Sequence, residues 1–270
     1  MQSLPSLFVS HGAPTMAIDP GPTGAMLARL GQRLGKPRAI VMVSAHHMTP
    51  IPEAGTAARP ETIYDFSGFP PALYQIQYPS AGAADIGARI TALLRRAGFD
   101  VRVNPNRGLD HGAWVPLRLM FPDADVPVVP LSIQPRMDAR HHFAVGRAIA
   151  ALRSENILII GSGNLTHNLG DIQRWERDAG TTPYVFAFQA WFAERLAARD
   201  IEALLDWERQ APHGRRAHPT DDHLLPIFVA LGAGEGSSLT LRLHDDVAYG
   251  VLAMDAYAFG DDMEGLEALV

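Results

Sequence analysis

Five of the eleven histidines lie at junctions between apolar runs and turn-forming residues, where a chemical site could be built. They are His11 in SHG, His46 in SAHH, His111 in LDHGAW, His167 in GNLTHN and His223 in PTDDHLLP. Neutral imidazole is the commonest protein ligand for divalent transition metals, and the chain has no cysteine to supply thiolates. A site made of imidazoles, alone or with carboxylates, favours Fe(II), Zn(II) or Mn(II). The pattern therefore predicts a metal site, at a spacing much longer than that of H-E-x-x-H.

The adjacent pair His46 and His47 ends an apolar run. Neighbouring residues of a strand face opposite sides, so only one of the two enters a site, and the spacing does not decide which. For an isolated histidine, a place on the surface or a hydrogen-bonded place in the core is the commoner role. That role is assigned to four histidines that open a helix or stand among polar residues: His141, His142, His213 and His244.

Other catalytic motifs are weakly supported. GSGNLT follows an apolar run but is neither G-x-G-x-x-G nor a phosphate-binding loop with its lysine, and the chain has no G-x-S-x-G. Ser44 and Ser162 lie near histidines in the sequence. A hydrolytic triad built on either serine would leave most of the histidines without a role.

Aspartates precede two of the five histidines: Asp110 comes before His111, and Asp221 and Asp222 come before His223. These carboxylates either orient an imidazole from behind a metal or cap a helix. In HPTDDHLLPIFVALG the second interpretation makes Thr220 the N-cap, with both aspartates favoured by the helix dipole.

The segments between these residues predict an α/β domain. Apolar runs predict strands, and amphipathic runs such as ADIGARITALL, with Ile86, Ile90, Leu93 and Leu94 at helical spacing and Gly98 as a stop, predict helices. The predicted strands are 6–10, 38–45, 126–133 and 156–162, and the predicted helices are 22–35, 83–98 and 138–153. Near-continuous apolar strands separated by helices predict a mainly parallel central sheet covered by helices on both faces. SLTLRLH and YGVLAMDAY alternate more and are candidates for an antiparallel edge pair.

This fold and the predicted site agree, because ligands of parallel α/β sheets bind beyond the carboxyl ends of the strands. His11, His46 and His167 all fall at or just after such ends. Residues 49–81 are rich in proline, glycine and aromatics, which predicts a structured flap, and residues 209–220 are a second loop candidate. The aromatic segment, residues 62–79, either packs on a bound ring and excludes water or only fixes the loop. Its aromatic residues include Tyr64, Phe66, Phe69 and Tyr74.

The composition excludes several classes of protein. A chain of 270 residues with 47% hydrophobic residues is long enough for one large core, and a net charge of -6 argues against nucleic-acid binding. The absence of cysteine excludes disulfides and thiolate chemistry and fits the cytoplasm. The start, MQSLPSLFVSHG, lacks the features of a secretory signal, and no apolar run has the roughly 20 residues that a membrane helix needs. A cytoplasmic globular protein without a membrane partner is the expectation.

Six blocks, in order from about residue 7 to residue 235, carry a resemblance to a known family. They are LFVSHGAPTMAID, AIVMVSAHH, YDFSGFPPALYQIQYPSAG, LDHGAWVPLRLMFPDADVPVVPLSIQ, ILIIGSGNLTHNL and PTDDHLLPIFVALGA. Together they resemble the DOPA-type extradiol aromatic-ring-opening dioxygenases of the class III, protocatechuate 4,5-dioxygenase B-subunit-like superfamily. The resemblance implies a non-haem Fe(II) enzyme that binds a catechol through both oxygens, activates O2 on the same metal and cleaves the ring beside the diol.

The resemblance also implies roles for individual residues. The matched metal ligands are His11, His46 rather than His47, and His223. His167 matches a histidine that acts as acid and base, or becomes a fourth ligand when zinc occupies the site. His111 matches a second catalytic histidine that contacts substrate or dioxygen.

One position departs from the wider class. The protocatechuate branch supplies a glutamate as the third ligand, whereas the matching segment here offers His223, as in the DOPA branch. Three neutral ligands leave more positive charge on the metal, which favours an anionic catecholate and also favours zinc occupancy. The resemblance therefore implies Fe(II) for activity, with Zn(II) as an alternative bound ion.

Two alternative functions remain at this stage: a zinc-dependent hydrolase or amidase that uses the same histidines to activate water, and a non-enzymatic metal-binding relative. The expected organisation is a single catalytic domain over residues 1–270, acting as a monomer or small homo-oligomer. Its expected partners are a small aromatic diol and O2, with neither nucleic acid nor membrane.

Overall fold

The computed structural model describes residues 3–172, 176–261, 263 and 265–269 of the chain. Its strands are β1 (Ser6–Ser10), β2 (Ala39–Met48), β3 (Glu53–Gly55), β4 (Arg102–Asn104), β5 (Val128–Ile133), β6 (Ile157–Gly163), β7 (Leu239–His244), β8 (Val247–Ala248), β9 (Leu252–Ala253) and β10 (Ala256–Gly260). Eight of them form one sheet in the order β4-β3-β5-β2-β6-β1-β10-β7, and β8 and β9 form a small antiparallel hairpin.

The helices of the described ranges lie between these strands. They are α1 (Gly21–Leu34), α2 (Ala84–Arg96), α3 (His111–Met120), α4 (Ala139–Ile149), α5 (Pro183–Ala197), α6 (Ile201–Leu205), α7 (Trp207–Gln210), α8 (Gly214–Ala217) and α9 (Leu225–Ala233). Short 3-10 turns span Pro14–Ala17, Pro71–Gln75, Ala150–Glu155, Leu169–Asp171 and Glu267–Leu269. No helix within these ranges combines the length and apolar character that crossing a membrane requires.

The centre of the sheet is parallel and is buried on both faces. β2 pairs in parallel with β5 and β6, and β6 pairs in parallel with β1. Side chains of a strand alternate between faces, so Ile40 and Met42 of β2 join one buried cluster while Val41 and Val43 join the other. Burial on both faces explains why these strands are nearly continuous apolar runs.

Helices cover both faces of the sheet, as predicted. Residues of α1 and α3 pack in the first cluster, and residues of α2 pack in the second. α9 contributes to both, with Phe228 in the first cluster and Val229 in the second. The fold is therefore a single α/β domain with a large, mainly parallel sheet flanked by helices.

The antiparallel edge pair is correct in kind but shifted in sequence. β7 forms the edge and pairs antiparallel with β10, which also pairs antiparallel with β1. β10, the strand that pairs with β7, begins at Ala256. Most of YGVLAMDAY therefore precedes β10 and lies in the β8–β9 hairpin. The opposite edge, made of β3 and β4, was not predicted, because strands of three residues carry almost no periodic signal.

Two further boundaries differ from the predictions. β2 continues through His46 and His47 to Met48, so the histidines belong to the strand and do not follow it. The predicted loop at 209–220 contains α8, together with the end of α7, and is therefore wrong in part. The segment 49–81 is ordered, as predicted, and includes β3 and the turn Pro71–Gln75.

Candidate metal centre

Four of the five predicted histidines meet at the carboxyl ends of the parallel strands. His11 directly follows β1, His46 lies on β2, His111 opens α3 and His223 lies two residues before α9. The ring centroid of His46 is 5.1 Å from that of His11, 4.9 Å from that of His223 and 4.0 Å from that of His111. His11 and His46 lie there as the strand-end argument predicted, and His111 and His223, which that argument did not include, join them.

His11, His46 and His223 have the geometry of a metal site. One ring nitrogen of each lies within 4.8 Å of the corresponding atoms of the other two, and the Nε2 atoms of His11 and His46 are 3.2 Å apart. Two imidazole nitrogens bound to one ion at about 2.0–2.1 Å lie roughly 2.9–3.4 Å apart in octahedral or tetrahedral geometry. The observed separation falls within that interval.

Hydrogen bonds to Nδ1 of His11 and of His223 leave the Nε2 atom of each ring free to bind a metal. Nδ1 of His11 is 3.0 Å from Oγ of Ser162, whose hydroxyl donates to the Gly112 carbonyl and must therefore accept from the imidazole. Nδ1 of His223 donates to Oδ2 of Asp222 at 2.5 Å. In both rings the proton sits on Nδ1, which leaves the Nε2 lone pair free for an ion.

Burial keeps the clustered imidazoles neutral. It lowers the pKa of His46 to about 4 and the pKa of His223 to about 3, and it holds the pKa of His11 well below its usual value. Repulsion among the neighbouring imidazoles adds to this lowering for all three pKa values. Because a metal binds only the deprotonated ring, this set can accept an ion near pH 7 without first losing protons. The residues therefore fit a divalent transition metal.

Glycines allow the ligand-bearing segments to approach one another. A Cβ atom on Gly163, at the end of β6, would lie 2.0 Å from the carbonyl oxygen of His223. That carbonyl accepts the backbone N–H of Asn164 at 2.9 Å, which ties the His223 segment to the strand. A Cβ on Gly112 of α3 would lie 2.5 Å from Oγ of Ser44 and 2.9 Å from Cδ2 of His46. Glycine is required at both positions because the neighbouring atoms occupy the space of a side chain.

His167 occupies a different place from the other four histidines. Its ring stacks on that of His223, with centroids 3.5 Å apart and planes 5° apart, and its backbone N–H donates to the Ala217 carbonyl. Among the described residues it shares a potential ligand set with Asp222 and His223, not with His11 and His46. Burial lowers the pKa of His167 to about 4, so the ring is a neutral proton acceptor at pH 7.

Asp65 is a site residue that the motif analysis missed. Its Oδ2 is 3.0 Å from Nδ1 of His111 and 3.3 Å from Nδ1 of His46, and its Oδ1 accepts the His111 backbone N–H at 2.9 Å. Burial opposes ionisation of this carboxyl, but the hydrogen bonds and charge of His111 prevail and lower the pKa of Asp65 to about 2. Asp65 is the only charged residue between positions 62 and 79, and that isolation among aromatics was the available signal.

The aromatic segment, residues 62–79, borders the cluster. The ring of Phe66 meets that of His111 edge-on at 5.7 Å, and it also contacts Phe69 at 5.5 Å and Tyr74 at 5.1 Å. The hydroxyl of Tyr64 donates to the Ile76 carbonyl and closes the segment on itself. The aromatics therefore do fix the loop, and Phe66 in addition reaches the histidines.

His47 lies outside the cluster. Its Nε2 is 3.2 Å from Oε1 of Glu53, a buried carboxylate that also accepts hydrogen bonds from Asn104 and Arg102. The other histidines to which no function was assigned also have local partners: the Nε2 of His142 accepts the Gln134 backbone N–H, and that of His244 is 3.1 Å from Oγ1 of Thr23. His46, not His47, faces the cluster.

The predicted helix caps are correct at one place and wrong at the other. Asp110 caps α3 by accepting from the backbone N–H of Ala113, and it also accepts the hydroxyl proton of Ser44 beneath His46. Thr220 does not cap α9, whose N-cap position is Leu224, without a side-chain hydrogen bond in the described chain. Pro226 stands in the first turn of α9 and has no backbone N–H to donate to a preceding carbonyl, which favours a helix that begins at Leu225 and not near Asp221.

Comparison with known proteins identifies the family of the chain. Residues 5–260 match the LigB family, described as the catalytic LigB subunit of aromatic ring-opening dioxygenase. The chain is 39% identical to a 4,5-DOPA dioxygenase extradiol of Beta vulgaris, over 94% of this chain and 96% of that protein. It is 38% identical to a protein of the same name from Portulaca grandiflora, over 94% and 95%.

A solved structure resembles the whole fold. The crystal structure of an uncharacterized protein from Escherichia coli K12 matches with a TM-score of 0.80 and 31% identity, over 95% of this chain and 100% of that one. The family match spans the strands and loops that carry all five predicted histidines. The chain therefore belongs to the LigB family of aromatic ring-opening dioxygenases.

Proposed function

We propose that this protein is a non-haem, metal-dependent extradiol dioxygenase that opens the ring of a DOPA-like or otherwise substituted catechol with O2. The convergence of three neutral imidazoles, two of them buried and that of His46 partly buried, carries this proposal, with the Nε2 atoms of His11 and His46 3.2 Å apart. The substrate class follows the names of its relatives, which are called 4,5-DOPA dioxygenases.

His11, His46 and His223 would hold the metal in this proposal. Fe(II) bound there supplies the redox chemistry by which a catechol reacts with dioxygen, and its charge favours the catecholate anion. Zn(II) suits the same three imidazoles and is the alternative occupant of the site. Three protein ligands leave room for the two catechol oxygens and for O2, which a fully ligated structural site would not.

His167 is the proposed acid and base. Its imidazole is neutral at pH 7, because burial lowers its pKa to about 4, so it can accept a proton from a catechol hydroxyl. Stacking on His223 fixes the plane of the ring beside the metal ligands, and the ring later returns the proton as the product forms. As an alternative role, His167 becomes a fourth ligand when zinc is bound.

His111 is the proposed second catalytic histidine, which contacts the substrate or dioxygen. Asp65 holds its Nδ1 side, so its Nε2 is free to make that contact. Phe66 is proposed to pack on the substrate ring and to exclude water, and its edge-on contact with His111 supports this role. The reaction adds both atoms of O2 to the catechol as one carbon–carbon bond beside the diol breaks, so no external reductant is needed.

The test is reconstitution followed by turnover. The apoprotein is loaded anaerobically with Fe(II), then given O2 and DOPA or catechol, and O2 uptake is measured together with the yellow colour of the ring-opened product. We expect equimolar O2 uptake and product, and neither with His46→Ala. A zinc-loaded protein that hydrolyses esters or amides, without any O2 uptake by the iron form, would favour the hydrolase instead.

The same proposal covers the organisation of the chain. We propose that residues 1–270 act as one catalytic domain, as a monomer or small homo-oligomer in the cytoplasm, on a small aromatic diol and without nucleic acid or membrane. The net charge of -6 and the lack of cysteine support this assignment. Light scattering coupled to gel filtration measures the oligomeric state.

A further inference from the structure

We propose that Asp65 is a positioning residue that couples docking of the aromatic segment, residues 62–79, to metal binding by holding His46 and His111 together. This inference rests on the metal site of the proposed function but not on the reaction. It concerns a carboxylate that is not one of the three proposed metal ligands and that belongs to a loop.

The contacts of the carboxylate set the orientation of both rings. An ionised carboxylate only accepts hydrogen bonds, so Nδ1 of His111, 3.0 Å from Oδ2, must carry the proton of that hydrogen bond. Nδ1 of His46 lies 3.3 Å from the same oxygen as an ion-pair contact, and the negative charge there favours the tautomer with its proton on Nδ1. The lone pair of His46 is then on Nε2, which is the atom that faces Nε2 of His11. Asp65 thus favours by its charge, for His46, the same tautomer that the hydrogen bond to Asp222 fixes for His223.

Asp65 differs from Asp222 in the segment that carries it. Asp222 is adjacent in sequence to the histidine it holds, whereas Asp65 lies 19 residues from His46 and 46 from His111, in the middle of the aromatic segment. The segment is also tied to α3 by the indole N–H of Trp114, which donates to the Ile63 carbonyl at 3.1 Å. Between Tyr64 and the Ile76 carbonyl that it binds, only Asp65 contributes a charged contact to the histidines.

The two functions of Asp65 must therefore affect each other. If docking of the segment places the carboxylate that prepares His46 for the ion, binding of the ion must in turn favour docking, because coupling between two equilibria is reciprocal. The aromatic segment should then be held more firmly in the metal-bound protein than in the apoprotein. Docking of the segment would also bring Phe66, whose ring contacts that of His111, to the side of the substrate site.

The experiment compares Asp65→Asn with Asp222→Asn, using Zn(II) as the probe in place of the air-sensitive Fe(II). Asparagine preserves the size of the side chain, but it removes the negative charge beside Nδ1 of His46, and its NH2 group would meet the Nδ1–H of His111. His46 then loses its preference for a proton on Nδ1. Zn(II) affinity is measured by competition with a chromophoric chelator. Docking of the segment is measured by mass spectrometry of chymotrypsin cleavage after Phe66 and Tyr74, with and without saturating Zn(II).

We expect both variants to bind Zn(II) about 10–100-fold more weakly, the usual cost of losing a carboxylate behind a histidine ligand. In the wild type and in Asp222→Asn, saturating Zn(II) should slow cleavage after Phe66 and Tyr74 severalfold. In Asp65→Asn the cleavage rate should be high and independent of Zn(II). A single cooperative thermal transition in each of the three apoproteins would show that the variants are folded.

Three results would overturn the inference. If Asp65→Asn binds Zn(II) as tightly as the wild type, Asp65 does not orient His46. If Zn(II) still protects the aromatic segment of that variant from chymotrypsin, Asp65 does not couple docking to metal binding. If Asp222→Asn also loses this protection, the loss is a general effect of weaker Zn(II) binding and is not specific to Asp65. If the wild-type protein binds Zn(II) and is protected but cleaves no catechol, the proposed function fails and this inference stands.

Discussion

His46 and His47 are consecutive residues of β2, and their imidazoles lie on opposite faces of the sheet. Nε2 of His46 lies 3.2 Å from Nε2 of His11, whereas Nε2 of His47 lies 3.2 Å from Oε1 of Glu53. Burial does not identify the metal-facing ring, because His47 is buried and His46 is only partly buried. Their different partners do, because only His46 faces other imidazoles.

This relationship predicts different results for two single variants. His46→Ala removes one of three proposed ligands and should lose both metal and activity. His47→Ala should keep the metal and most of the activity, since Glu53 retains Asn104 and Arg102 as partners and the buried Nδ1 of His47 has no partner among the described residues. Iron content and catechol-cleavage rate are measured for both variants, with the partly buried His141→Ala as a control. Metal loss in His47→Ala with retention in His46→Ala would show that the wrong histidine was assigned.

A second prediction separates His167 from the ligands. His167→Ala removes the proposed acid and base but none of the three converging nitrogens, so the variant should retain Fe(II) while turnover falls by about 10²–10⁴-fold, the usual contribution of such a group. Metal content is determined beside single-turnover O2 uptake. If the variant loses iron as completely as His46→Ala, His167 is a ligand and the assignment as acid and base fails.

The strand-end pattern predicted the cluster because it depends on local sequence and on one property of parallel sheets. Each apolar run of β1, β2 and β6 is buried on both faces, which makes the strand recognisable and fixes where its polar end must lie. The sequence alone therefore places His11 and His46 at the same edge of the sheet. The choice of His46 over His47 needed the resemblance to the family, since strand alternation gives two equal registers.

Asp65 and Ser162 could not be placed in the same way, because their roles depend on contacts between distant parts of the chain. Ser162 holds His11 across 151 residues, and Asp65 reaches His46 from a loop whose path no periodicity describes. The β3 and β4 strands were missed for a related reason, since three residues are too few to show alternation. The alternative that made Thr220 the cap of α9 is wrong, because the helix begins at Leu225 with Pro226 in its first turn.

Gly112 gives a prediction about packing around the ligands. A Cβ at this position would lie 2.5 Å from Oγ of Ser44, 2.9 Å from Cδ2 of His46 and 3.1 Å from Cε1 of His11. Gly112→Ala should therefore displace both ligand rings, weaken Zn(II) binding by at least tenfold and destabilise the fold by about 1–3 kcal/mol, as overpacking does. In an uncrowded helix the same change would stabilise by up to about 1 kcal/mol. Chelator competition and urea unfolding measure the two effects.

The matched control for this variant is Gly180→Ala. No atom lies within 4 Å of a Cβ built on Gly180, and its backbone is outside the left-handed region. This substitution should leave Zn(II) affinity unchanged and stability within about 0.5 kcal/mol of the wild type. Unchanged metal binding in Gly112→Ala would mean that the rings are less tightly confined than the distances indicate.

The depressed pKa values predict how the stability of the apoprotein depends on pH. His46, His167 and His223 have pKa values of about 4, 4 and 3 when folded, against about 6.5 when unfolded. Below pH 6.5 the unfolded chain therefore binds more protons than the folded one, so the free energy of unfolding falls as the pH decreases. Stability should be constant from pH 8 to about 7 and should then decline down to about pH 4, by up to about 1.4 kcal/mol per pH unit for each such histidine.

Urea unfolding of the apoprotein between pH 8 and pH 4.5 measures this slope, and His167→Gln tests its origin. Glutamine removes one buried imidazole without adding a titrating group, so the variant should take up about one proton fewer on unfolding near pH 5. Asp65 acts at lower pH, because its pKa is lowered to about 2 and its contribution is lost only as the pH falls below about 4. A slope that is the same in the variant, or a wild-type stability that does not change from pH 8 to pH 5, would show that the imidazoles are not held neutral by the fold.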